Sequence, residues 1–235
     1  MDTRSVPRPI MVQACIDVQS VDEALDVAHM AVRAGVDWLE VGTPLILFAG
    51  IEAVRSIATA FPDRKIMADM KLVDGTGKYV VAAAQRGASM VSVCAVASDA
   101  SIRAAVVGAR ASGTQLVADL YACPDPVRRA KEVAALGADI VYLHYGADQL
   151  AADPDGDHTL TQLGQLRSIG FELPVGIVAF NSEGGCLAST TGADIVLVGH
   201  PYLTGPDAET RLKDFVRTVR QARSADDIPG LGGPA

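Results

Sequence analysis

The chain has 235 residues, 49% of them hydrophobic, and a formal charge of −8 with a pI near 4.9. It can bury a sizeable core, while an acidic balance with scattered Lys and Arg excludes a nucleic-acid surface, which needs clustered cations. Cys15, Cys94, Cys123 and Cys186 lie too far apart for a zinc pair or disulfide framework, and no apolar run has the length of a membrane span or signal core, so a cytoplasmic protein that acts on small molecules and touches no membrane is expected.

In chain order, the first strand is read in "VQACIDV" (12–18), followed by a helix over 21–35. Then come the strands "WLEVG" (38–42), "KIMADMK" (65–71) and "MVSVCA" (90–95), and a helix over 101–113. "QLVADLY" (115–121) precedes a helix over 125–137, and "IVYLHY" (140–145), "VGIVA" (175–179) and "IVLVGH" (195–200) complete the strands. Short β-branched runs alternating with Ala-rich amphipathic stretches are the pattern of repeated βα units around a parallel sheet. The segments "AGVD", "RGAS", "LGAD" and "TGAD" recur before strands, where a left-handed glycine closes a helix. Eight such units in a chain of this length, with no linker between them, predict a single (β/α)8 TIM barrel over 1–235, with tails at 1–9 and 224–235. A doubly wound open sheet is the weaker alternative, because no G-x-G-x-x-G follows the first strand.

Charged residues gather at the strand ends. Asp17 closes the first strand, Glu40 the second, Asp119 the fifth, His144 the sixth and His200 the eighth. Asp69 and Lys71 share a face at the end of "KIMADMK", with Asp74 in the loop beyond. In a barrel these ends converge on one mouth. Asp74 and Asp119 also read as simple helix N-caps, Lys71 as a structural ion-pair partner, and His144 as a hydrogen-bonded structural histidine. Asp17 and Glu40 lie within apolar strands, where an unpaired carboxylate costs several kcal/mol, so a partner is required. Carboxylates, one lysine and one histidine around a mouth can hold a hard divalent ion such as Mg²⁺, stabilise an enediolate and transfer protons near neutral pH. The cysteines read as small core residues.

"IMADMKLVDGTGKYV" resembles the Asp-x-Lys-x-x-Asp signature of the orotidine monophosphate decarboxylase suprafamily. "ACIDVQ", "LEVGTPLI", "VASDASIRAAV" and "LHYGADQ" resemble segments of its 3-hexulose-6-phosphate synthase and 3-keto-L-gulonate-6-phosphate decarboxylase branch, over nearly residues 10–220. The resemblance implies Glu40 and Asp69 as Mg²⁺ ligands, Lys71 against the enediolate oxygen, Asp17 on substrate hydroxyls or Lys71, and His144 as proton relay. It implies a homodimer in which Asp74 reaches the neighbouring site. Ala147 stands where the decarboxylase branch has Arg, which favours the aldol-type synthase over the decarboxylase. An isomerase or epimerase, or a non-catalytic binding barrel, are the rival readings.

The same resemblance predicts glycine pairs for the substrate phosphate after the seventh and eighth strands. Ala179-Phe180 and His200-Pro201 stand there instead, with Gly199 retained. Asn181, Ser182, Gly199 and His200 are therefore the expected substrate-binding residues, holding either an unphosphorylated sugar-derived substrate or a phosphate in a different way. Gly184-Gly185 in "SEGG" is a further possible cradle after a shifted turn.

Overall fold

The structure is a computed structural model and describes residues 9–226. Eight strands close a parallel barrel in sequence order: β1 Met11–Ile16, β2 Trp38–Val41, β3 Lys65–Leu72, β4 Met90–Cys94, β5 Gln115–Asp119, β6 Ile140–Leu143, β7 Val175–Val178 and β8 Ile195–Val198. Around them run α1 Val21–Ala34, α2 Thr43–Ala49, α3 Glu52–Ala60, α4 Thr76–Ala84, α5 Asp99–Ser112, α6 Pro126–Leu136, α7 Ala147–Ala152, α8 Thr159–Ser168, α9 Ser182–Thr191 and α10 Ala208–Asp226. The expected TIM barrel is the fold found. Helix α10 continues past the expected start of the C-terminal tail at 224, while residues 1–8 and 227–235 fall outside the described residues.

Local chemistry explains the elements. Ser20 caps α1 by accepting from the Glu23 N–H, Asp22 and Glu23 face the positive end of the helix dipole, and Gly35 at φ +96° closes it. Its buried stripe, Ala24, Ala28 and Ala31, is all small, which lets the helix sit close on the sheet.

Alternation along the strands separates two cores. Side chains pointing outward, such as Val12, Leu39, Ile66, Val91 and Leu116, pack with the helices. Those pointing inward form a smaller apolar plug of Met67, Met90, Val117, Ile140, Ile195 and Leu197. Two residues further along the same strands, the inward positions become polar: Asp69 follows Met67, Ser92 follows Met90, and Asp119 follows Val117. The plug therefore forms the floor of the site, and the C-terminal strand ends form its wall.

Candidate active site

Asp69 and Lys71 meet because β3 is irregular. Its pairing with β4 shifts register between Ala68 and Leu72, and Lys71 has φ +43°, a left-handed conformation that is uncommon for a residue with a Cβ. Ser92 on β4 holds this bend. Its buried hydroxyl accepts the Lys71 N–H (3.1 Å) and donates to Asp69 Oδ1 (2.7 Å). Thr43, at the start of α2, donates to Asp69 Oδ2 (2.7 Å). The lysine then folds back so that Nζ lies 2.5 Å from Asp69 Oδ2 and 3.7 Å from Asp119 Oδ2. Burial disfavours its charge, but the two carboxylates and the Asp69 hydrogen bond outweigh this and raise its pKa above the ordinary lysine range. It is a fixed cation.

Asp119, almost fully buried at the end of β5, joins this lysine to the histidine. His144 follows β6, and its Nδ1 lies 2.9 Å from Asp119 Oδ2. A carboxylate only accepts, so the imidazole donates from Nδ1, leaving Nε2 as the nitrogen available to substrate. The Tyr121 N–H adds a 2.9 Å bond to Asp119. Burial alone would raise the Asp119 pKa; the His144 hydrogen bond and charge, Lys71 and the Tyr121 N–H together hold it below the usual carboxylate value. The helix-cap reading of Asp119 is corrected here, since α6 starts at Pro126 and is capped by Asp125.

A third group lies just above the apolar floor. Glu40 Oε2 accepts from Gln13 Nε2 (2.5 Å) and from the Cys15 thiol (3.1 Å), and Gln13 Oε1 accepts from the Tyr142 hydroxyl (2.7 Å). Gly176 on β7 makes room for the tyrosine ring: a Cβ there would lie 2.5 Å from Tyr142 Cδ1. Burial, reinforced by the charges of Asp69 and Asp17, pushes the Glu40 pKa up to about 8. Asp17 is raised to about 6 by burial and Asp69, against the opposing pull of Lys71 and His144. Its carboxylate rests on Gly42, where a Cβ would displace the carboxylate and lie 2.8 Å from the Ile16 carbonyl oxygen, a backbone contact that only glycine avoids.

The mouth so assembled brings together Asp17, Glu40, Asp69, Lys71 and His144, five of the residues expected from sequence, together with Asp119. Asp74 stands apart. It is exposed in the β3–α4 loop and does not cap α4, whose N-cap is Gly75. On the opposite rim, Asn181 accepts the Gly184 N–H (2.7 Å) as the cap of α9, and Ser182 Oγ lies 3.1 Å from the Tyr202 hydroxyl. His200 Nδ1 lies 3.1 Å from Thr204 Oγ1, and Gly199 borders Asp17, whose Oδ2 would be 3.9 Å from a Cβ there.

The orotidine 5'-phosphate decarboxylase / HUMPS family profile matches residues 11–202. The chain belongs to this family. A 3-hexulose-6-phosphate synthase of Staphylococcus aureus is 32% identical over 213 residues, covering 91% of this chain and 97% of that protein. The crystal structure of a 3-hexulose-6-phosphate synthase has a TM-score of 0.81 and 29% identity, covering 91% of this chain and 99% of its own. A 3-keto-L-gulonate-6-phosphate decarboxylase from Vibrio cholerae has a TM-score of 0.78 over 91% of this chain and 98% of its own; at 23% identity the likeness is one of fold.

Within this HUMPS-family barrel the carboxylates exceed their cations. Asp17, Glu40, Asp69 and Asp119 face one lysine and one histidine, and Glu40 Oε1 accepts no hydrogen bond from the described residues. Such a surplus of hard oxygens suits a divalent cation. Among the described residues no three Asp, Glu, His or Cys side chains form a ready-made metal cage. An ion held by Glu40 and Asp69 would therefore be completed by water or substrate oxygens, as Mg²⁺ commonly is.

Sequence patterns do not single out Gln13, Cys15, Thr43, Ser92 or Tyr142, and they leave Asp119 readable as a cap. One signal is present: Gln13, Cys15 and Asp17 share the inward face of β1 at two-residue spacing, and a glutamine in an apolar strand needs a partner.

Proposed function

We propose that this chain is a Mg²⁺-dependent carbon–carbon lyase of the 3-hexulose-6-phosphate synthase type, acting through an enediolate on a sugar-derived keto substrate. Family membership makes it an enzyme of the lyase class. The observation that supports the finer reading is the chain of contacts Asp69–Lys71–Asp119–His144, a fixed cation linked through Asp119 to a histidine held by its Nδ1.

Carbonyl substrates that lose or gain a carbon next to the carbonyl pass through an oxyanion, and Lys71, protonated throughout, is suited to stabilise it. His144 Nε2 takes the proton from the carbon beside the carbonyl, or returns it, while Asp119 stabilises the resulting imidazolium. Asp17 orients a substrate hydroxyl. Glu40 and Asp69 would hold the Mg²⁺, which when bound supplies Lewis-acid polarisation of the substrate oxygens. Ala147 opens α7 without a cation three residues after His144, which supports aldol-type release or addition of formaldehyde over loss of carbon dioxide.

The chain is further read as a cytoplasmic homodimer. Four unpaired cysteines fit a reducing compartment, and no single helix among the described residues is long and apolar enough to cross a membrane. Exposed Val73 and Tyr79 flank Asp74, and Leu47, Phe48 and Val96 are exposed on neighbouring βα segments, as a subunit contact at this side of the barrel requires. If Asp74 completes a partner's site, mixing inactive Lys71→Ala and Asp74→Ala chains restores part of the activity; no recovery after verified subunit exchange assigns each site to one chain.

The lyase reading is tested by assaying formaldehyde and carbon dioxide release from a panel of keto sugars and keto sugar acids, with Mg²⁺ or excess chelator. Metal-dependent release of formaldehyde is expected. Full activity in chelator argues against a metal requirement, and hydrogen exchange with no release of formaldehyde or carbon dioxide from any sugar of the panel reassigns the protein as an isomerase or epimerase.

A further inference from the structure

In the closed barrel the β7–α9 and β8–α10 loops form the rim across the mouth from β3, the strand that carries Lys71. Several of the rim's backbone donors are committed. The Ala179 N–H bonds Leu197 O (2.9 Å), the Gly184 and Gly185 N–H groups bond Asn181 Oδ1 and O (2.7 and 3.1 Å), and the Tyr202 N–H bonds Gly199 O (2.9 Å). Pro201 has no N–H to give. Gly184 and Gly185 are therefore not an anion cradle. The first is tied into the cap, and the second lets α9 pack on α10, where a Cβ would meet Phe215 Cζ and Val219 Cγ2 at 2.9 Å.

Charge argues the same way. The first turn of α9 carries its own exposed carboxylate, Glu183, which opposes an anion at that helix end. Arg211 reaches the β8–α10 loop but donates to the carbonyls of Pro201 and Thr204. Among the described residues no Lys or Arg hydrogen-bonds the side chains of Asn181, Ser182, His200 or Thr204. Two side-chain pairs remain on the rim, the Ser182 and Tyr202 hydroxyls and the His200 imidazole with the Thr204 hydroxyl, each able both to donate and to accept. Those are the groups that recognise sugar hydroxyls.

We propose that the substrate meets this rim with a neutral, hydroxylated end, so that the enzyme acts on an unphosphorylated polyhydroxy-ketone. The inference rests on the enediolate reading of the mouth and narrows its substrate class, and it sets this chain apart from relatives whose names specify 6-phosphate sugars. A phosphate dianion would have to replace paired hydroxyls beside Glu183.

The test compares ribulose and ribulose 5-phosphate by calorimetry on the Mg²⁺-loaded protein, and titrates inorganic phosphate into metal-free protein. Ribulose 5-phosphate is expected to bind no more than about threefold tighter than ribulose, and inorganic phosphate more weakly than about 10 mM; the free-energy gap of a charge-assisted phosphate grip would give at least about tenfold. A tenfold or greater preference for the phosphorylated sugar overturns the proposal, as does millimolar or tighter binding of inorganic phosphate. His200→Arg, which adds a permanent cation, is expected to raise the preference at least about fivefold, and an unchanged preference shows that the rim does not face the substrate's far end. Solvent-deuterium exchange separates the two readings: rapid exchange into ribulose 5-phosphate together with tight binding removes only the neutral-end inference. If neither sugar exchanges or binds, the enediolate reading falls, and the inorganic phosphate titration still decides whether the rim is an anion site.

Discussion

On the side of the mouth built by β1–β3, β5 and β6, charged side chains hold one another: Lys71 bridges Asp69 and Asp119, and Asp119 holds His144. On the β7–β8 side the polar side chains mainly serve the backbone and each other, Asn181 as a helix cap and Ser182 and His200 in hydroxyl pairs. The first side concentrates buried charge at a cost to folding, which is the mark of a reactive centre; the second is relaxed, and its residues contribute to stability. Substitutions should separate the two, with large activity losses on the first side and stability losses on the second.

The largest expected effect is that of Lys71→Ala. Removing the fixed cation from the position of the developing oxyanion should lower kcat/KM by about 10³-fold or more, measured as initial rates after circular dichroism confirms folding. A loss below about tenfold would make the lysine a structural partner of Asp69. Next come Asp119→Asn and His144→Gln, each expected to cost about 10²- to 10³-fold, with Asp119→Asn also shifting the pH–rate profile because the imidazolium loses its carboxylate. A profile that does not move would leave Asp119 with packing alone.

A smaller effect concerns Glu40. Its pKa of about 8, and that of about 6 for Asp17, lie above the values of 4.5 and 3.8 expected without burial. Raised carboxyl groups hold more protons in the folded than in the unfolded chain, so ionising them costs stability as pH climbs from about 4.5 to 8. Metal-free protein should thus become progressively easier to denature across this window. Glu40→Gln should flatten most of that decline while weakening Mg²⁺ binding at least about tenfold; chemical denaturation at about pH 5, 6.5 and 8 and Mg²⁺ calorimetry read the two effects. Smallest is Asn181→Ala, expected to destabilise by about 1 kcal/mol through loss of the α9 cap, visible as a lowered denaturation midpoint. An unchanged midpoint would free Asn181 for a role at the substrate.

The barrel was legible because its signals are local. Each strand is a short apolar run, and several helices close on a glycine such as Gly35 or Gly137. The charged half of the site was legible for a related reason: Asp17, Glu40 and His144 interrupt or close apolar strands, where nothing but a partner makes them tolerable. Asp119 was not, because its partner His144 lies 25 residues away, and a carboxylate before a turn is indistinguishable from a cap until the helix start is known. A regular strand would set Lys71 beside Asp69 on one face, whereas their contact is made through a register shift and a left-handed residue. Ser92 was invisible for the complementary reason, since a serine between two valines carries no sign of the bend it supports.

The most direct test of the central claim is solvent-deuterium exchange at the carbon beside the carbonyl, followed by proton NMR with ribulose and ribulose 5-phosphate over the Mg²⁺-loaded enzyme. Enzyme-dependent loss of that proton signal is expected, abolished in Lys71→Ala and strongly slowed in His144→Gln. Absence of exchange in the native enzyme, or exchange that survives Lys71→Ala, would contradict that claim.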